Sequence, residues 1–161
     1  MPSITSLLAK LTTDYPAITF VQGDEFHWSP ADNTVTYCVT KDGSASSQLL
    51  HELSHALLGH TDYSRDITLL KMERDAWEKA QEIAVPYGIT ITDEIIQNHL
   101  DTYRDWLHDR STCPTCGATG LQSTKDTYRC VACTEQWRVN EAKTCELRRY
   151  KLVPNQTKNP A

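Results

Sequence analysis

Apolar positions along the first forty residues change period, and the change marks out elements. Ile4, Leu7, Leu8 and Leu11 recur at helical spacing and predict a short amphipathic helix. "AITFV" (17–21) is a β-branched and aromatic run, read as a strand. "EFHW", the turn-forming "SPADN" and "TVTYCVT" then predict a hairpin whose second strand covers roughly 34–40. "KDGSASS" follows as a loop carrying candidate N-cap serines. The 3.6 period then takes over. Helices are predicted over about 46–58 with Gly59 as the stop, over 65–84 with Pro86 and Gly88 beyond it, and over 93–108. A small sheet followed by helices is an α+β arrangement.

The helix at 46–58 contains "LLHELSHALLGH" (49–60). Residues four apart on a helix lie about 40° apart, so His51 and His55 point the same way and can offer neutral nitrogens to one zinc ion. Glu52 is rotated about 100° from His51, close enough to serve a water beside the metal without ligating. Leu49, Leu50, Leu53, Ala56 and Leu57 fall on the other side. His60, were the helix to continue, would project about 180° from His51, and is read as a histidine at the helix end.

A catalytic zinc takes three protein ligands and keeps a position open. On the next helix Glu73 is centred in an apolar stripe with Leu69, Leu70, Ala76, Trp77, Ala80, Ile83 and Ala84, whereas Asp75, Glu78 and Glu82 lie opposite. A carboxylate in such a stripe requires a compensating cation, either a metal or a buried basic side chain. Glu73 is the expected third ligand, and Asp66, near the start of the same face, is the next candidate.

"HELSHALLGH" followed by "MERDAWEKAQEIA" resembles the ImmA/IrrE group of small gluzincin-type metallopeptidases, over roughly residues 30–85. Glu73, Asp75 and Ala76 match that group's acidic-x-acidic-Ala signature. The resemblance implies a zincin-like fold, peptide-bond hydrolysis and a sheet edge for an extended substrate, here assigned to the 34–40 strand. Glu52 would act as general base. Tyr63, Tyr87, His99 and Tyr103 are candidate oxyanion donors, with His99 also placed on a core-facing arc beside Ile95, Ile96, Tyr103 and Trp106. Cys38, in the strand, is read as packing.

Six cysteines change the picture for the C-terminal part. Cys113 and Cys116, then Cys130 and Cys133, form two Cys-x2-Cys pairs 13 residues apart, and Cys38 and Cys145 stand alone. This spacing predicts a closed four-thiolate zinc site in a zinc ribbon, with Gly117 in the first knuckle and Thr134 where the second would have glycine. Neither pair is placed at a helix start beside a strand, as a redox pair would be. Tyr128 and Trp137 are expected to cover the metal.

Charge divides at the same point. Residues 1–109 hold 7 Lys+Arg against 17 Asp+Glu, and residues 110–161 hold 9 against 4. The expected organisation is a metallopeptidase domain over 1–109, a ribbon over 110–152 and a loose tail over 153–161. The basic ribbon, with "ELRRYK", suits either a nucleic acid or the acidic domain. SprT-like proteases are similar in joining HExxH to a cysteine ribbon and acting on DNA-bound proteins; their third ligand is usually a histidine, here His60, His99 or His108. No window of 18 apolar residues exists and the N-terminus lacks a basic region with a long apolar run, so a cytoplasmic protein is expected, without a membrane partner. Two zinc ions, one catalytic and one structural, and a protein or peptide substrate complete the expectation.

Overall fold

The computed structural model describes residues 3–40 and 43–153. The described chain is α+β, with helices α1 (Ile4–Asp14), α2 (Ala45–Leu57), α3 (Asp66–Ala84) and α4 (Asp93–Ser111) and two small sheets. Strands β1 (Thr19–Gln22), β2 (His27–Ser29) and β3 (Thr34–Tyr37) make the first sheet; β4 (Gly120–Thr124), β5 (Thr127–Cys130), β6 (Gln136–Val139) and β7 (Arg149–Lys151) make the second. Two compact units result: Met1–Asp62 with Leu70–Leu100, and Tyr63–Leu69 with Asp101–Ala161. The expected tail, apart from Val153, lies outside the described residues, as do Lys41 and Asp42 of the expected loop. Among the described residues no helix is long and apolar enough to cross a membrane.

In the first unit, the Ser3 hydroxyl caps α1 by accepting from the Ser6 amide at 3.2 Å. Leu7 and Leu11 of α1 enter a core with Trp28, Val35, Leu49, Leu50, Leu53, Trp77 and Ala80. α2 packs on β2 and β3. Leu57, expected in this core, is 39% exposed because α2 ends there.

The sheet corrects one expectation. β1 pairs with β3 in parallel and β2 pairs with β3 antiparallel, in the order β1-β3-β2. The 34–37 strand is therefore central, with neighbours on both sides, and offers no edge to a substrate. Its edge assignment was what the family resemblance implied. The reason it fails is the non-local pairing of Phe20 with Val35, which adds β1 beyond β3. β2 is the edge strand on the other side.

In the second unit, β4 to β7 form an antiparallel meander. Tyr128, Trp137, Val139, Cys113 and Cys130 form its core, with the Tyr128 and Trp137 rings stacked at 5.7 Å. The fully buried Asp66 belongs to this unit. Its carboxylate accepts from Arg110 Nε at 2.6 Å, Arg110 Nη2 at 3.3 Å, the Tyr128 hydroxyl at 2.5 Å and Gln122 Nε2 at 3.2 Å. Both oxygens are occupied, which is why a fully buried carboxylate is tolerated here.

Candidate metal centres

The first centre arises from two adjacent helical facts. The four-residue step on α2 puts His51 and His55 on one face, and the apolar stripe of α3 carries Glu73 inward, 6% exposed. His51 Nε2 lies 3.0 Å from Glu73 Oε2 and 3.1 Å from His55 Nε2, and His55 Nε2 lies 3.6 Å from Glu73 Oε1. All three ligand atoms fall within 4.8 Å of one another. Donors about 2.1 Å from a tetrahedral cation sit about 3.4 Å apart, so this triangle is of the size a zinc-like ion requires.

Protonation fits the same use. Burial lowers the His51 pKa to about 4, so at neutral pH the ring is uncharged and keeps a lone pair. Burial alone would raise Glu73, but hydrogen bonds with His51 and His55 outweigh it and hold the carboxylate at about 2. A buried anionic carboxylate facing a neutral imidazole lacks full charge compensation, which a divalent cation would supply. Among the described residues the ion-pair partners of Glu73 are these two histidines, not a lysine or arginine.

The surroundings hold the imidazoles in place. The His51 ring stacks on Trp77 at 4.2 Å and 19°, and Trp77 packs against His99 at 4.7 Å. His51 Nδ1 is buried and has no hydrogen-bond partner among the described residues. His55 Nδ1 lies 2.8 Å from His60 Nδ1. Glu52, one residue after the first ligand, is partly accessible. Burial raises its pKa to about 7, opposed by His55 and by the Trp28 backbone amide that donates to it from β2.

The four candidate oxyanion donors divide between the two units. His99 lies in the first unit, one ring removed from His51 through Trp77. The Tyr87 hydroxyl donates to Asp14 Oδ2 at 2.7 Å, on α1. Tyr63 lies beneath Lys125 and Lys143 in the second unit, where Tyr103 also belongs. Asp66 is enclosed by Arg110, Tyr128 and Gln122 as described, and does not join the His51–His55–Glu73 group. Sequence reading missed His60 as a neighbour of His55, and the signal was present in Gly59.

The second centre is the cysteine cluster. The sulfurs of Cys113, Cys116, Cys130 and Cys133 lie within 4.8 Å of one another, with Cys113–Cys133 at 3.6 Å and Cys116–Cys130 at 3.5 Å. Thiolates about 2.3 Å from a tetrahedral ion sit about 3.8 Å apart. The Thr115 amide donates to Cys113 Sγ at 3.4 Å, and those of Ala132 and Cys133 donate to Cys130 Sγ at 3.3 and 3.4 Å. The Cys133 and Ala132 amides lower the Cys130 thiol to about 6. Gly117, after the first pair, has φ 75°, and Thr134, after the second, has φ 65°. The second knuckle thus adopts the same left-handed turn without glycine.

Compared with protein-family models, with curated proteins and with solved structures, the chain gives no match.

Proposed function

We propose that the protein is a zinc-dependent metalloendopeptidase with a zincin-like catalytic unit and a structural zinc ribbon. The convergence of His51 Nε2, His55 Nε2 and the Glu73 carboxylate, with Glu52 close enough to interact electrostatically with His55 and Glu73, carries this reading. A zinc ion held by His51, His55 and Glu73 would supply Lewis acidity and a water acidic near neutrality. Three protein donors leave a tetrahedral ion one open position, whereas the four cysteines close theirs. The first site then suits catalysis and the second suits structure.

Glu52 takes a proton from the attacking water and passes it to the leaving amine. Its environment, which pushes the carboxyl up to about 7, suits a group that must both accept and release a proton near neutral pH. Trp77 holds the His51 ring by stacking and also packs against His99. The decisive experiment is Glu52→Gln in the full chain. It is expected to retain two zinc ions and to lose cleavage of an unfolded protein substrate. Undiminished cleavage refutes the role of Glu52.

A second reading has its own observation. Strands β4 to β7 contain no acidic residue, and Arg129 and Arg138 are exposed on them, with Arg138 over the Tyr150 ring at 5.3 Å. Such a face suits single-stranded nucleic acid, and would make the ribbon a recruiting element. Gel shifts at two salt concentrations test it: binding must weaken with salt, and no shift at low salt removes it.

A further inference from the structure

The end of α2 folds a third imidazole back onto a ligand. Gly59 adopts φ 65°; its amide donates to the Ala56 carbonyl at 3.1 Å, and the His60 amide donates to the His55 carbonyl at 3.0 Å. These two bonds together are a Schellman closure, which needs a left-handed residue at Gly59. The closure diverts His60 from the far side, where a continuing helix would carry it, and sets its ring 5.0 Å from that of His55 at 63°. From β2, Trp28 Nε1 donates to the His60 carbonyl at 3.0 Å and pins the turn.

Two ring nitrogens 2.8 Å apart share one proton, so the direction of the bond decides the tautomer of both rings. If His60 donated, His55 would carry its proton on Nε2, the atom that faces His51 and Glu73, and could not ligate there. If His55 donates from Nδ1, its Nε2 lone pair is free and His60 keeps its own proton on Nε2. Only the second arrangement is compatible with a cation at His51, His55 and Glu73.

We propose that His60 is a positioning residue for the metal centre. Its Nδ1 accepts from His55 Nδ1–H and so holds His55 in the tautomer that presents Nε2 to the ion. This deepens the metallopeptidase reading and rests on it. The structure contains an internal contrast, because His51 has no such acceptor and is held by stacking on Trp77 instead. The helix-stop signal and the tautomer of a ligand are, in this chain, one device.

The test uses the full chain with its cysteine site loaded, titrated with Zn2+ against a competing chelator. Removing an outer partner of a metal-bound histidine weakens binding by about 10–100-fold. His60→Ala is expected to weaken the histidine–glutamate site by that factor and leave the cysteine site unchanged. His60→Asn places Oδ1 where histidine has Nδ1 and is expected to restore most of the affinity. His60→Gln carries its amide one bond further out and is expected not to. In zinc-loaded wild type, ring-nitrogen NMR is expected to show His55 protonated at Nδ1. Wild-type affinity in His60→Ala, an Asn variant as weak as Ala, or a loaded His55 protonated at Nε2 each overturns the proposal. The His51→Ala variant keeps the two failures apart. If it binds as many ions as wild type, no cation sits at the triad and the underlying reading falls together with this one.

Discussion

Asp66→Ala is the sharpest perturbation of the cysteine-bearing unit. Asp66 is fully buried, and the Arg110 side chain facing it is 5% exposed. Removing the carboxylate deletes four hydrogen bonds, from Arg110 (two), Tyr128 and Gln122. It also strands a buried guanidinium. Breaking one partner of a buried ion pair costs about 3–5 kcal/mol, far above the median for exposed pairs. Arg110 retains carbonyl acceptors at Asn140, Glu141 and Lys125, which favours the lower half of that range. The assay is urea unfolding at fixed free zinc, followed by metal release from the cysteines. Replacing both partners, as Asp66→Leu with Arg110→Met, is expected to cost less than Asp66→Ala alone, because no charge is left uncompensated. Asp66→Ala within about 1 kcal/mol of wild type would refute the reasoning, since that is the range of an exposed pair. So would loss of the histidine-bound ion in Asp66→Asn, which would make Asp66 a ligand after all.

Further expectations concern the two centres. Glu52 has a folded pKa of about 7 against an ordinary 4.5, so the folded chain holds that proton more tightly and loses stability as pH rises through this window. With the histidine–glutamate site metal-free, Glu52→Gln is therefore expected to be stabilising at pH 8, by at most about 3 kcal/mol, and neutral at pH 4; urea midpoints at the two values check this. His51 titrates oppositely: its folded pKa of about 4 against 6.5 means that stability is whole above pH 6.5 and falls as pH drops toward 4. The same metal-free chain should show a falling urea midpoint across that interval, and the fall should shrink in His51→Asn. Thr134 sits at φ 65°, and a non-glycine residue there costs about 1–2 kcal/mol. Thr134→Gly is expected to raise the unfolding midpoint of the cysteine-bearing unit without changing the number of bound ions.

What could be read from the chain followed the range of the interaction. His51, His55 and the four cysteines are set by spacing within one helix or one knuckle, and the structure groups them as their spacing suggests. Glu73 was legible because a carboxylate in an apolar stripe is a local anomaly that demands a partner. Asp66 shares that face and ranked second to Glu73, but its own role was not legible, because its partners lie 44, 56 and 62 residues away. The central position of β3 depends on a parallel neighbour in the same way. His60 lies at the helix end as its position after Gly59 suggested, but its return onto His55 was not legible, because it depends on one left-handed residue reversing the chain. Thr134 shows the converse, a left-handed turn formed without the glycine that would have announced it.

X-ray absorption at the zinc edge, combined with a metal count on the intact chain, addresses the assignment most directly. Two ions per chain are expected, one with four sulfur neighbours and one with nitrogen and oxygen neighbours, and Glu73→Ala should remove or weaken only the second. A single ion surrounded by sulfur alone, with Glu73→Ala indistinguishable from wild type, would contradict the proposed catalytic centre and leave only the cysteine site.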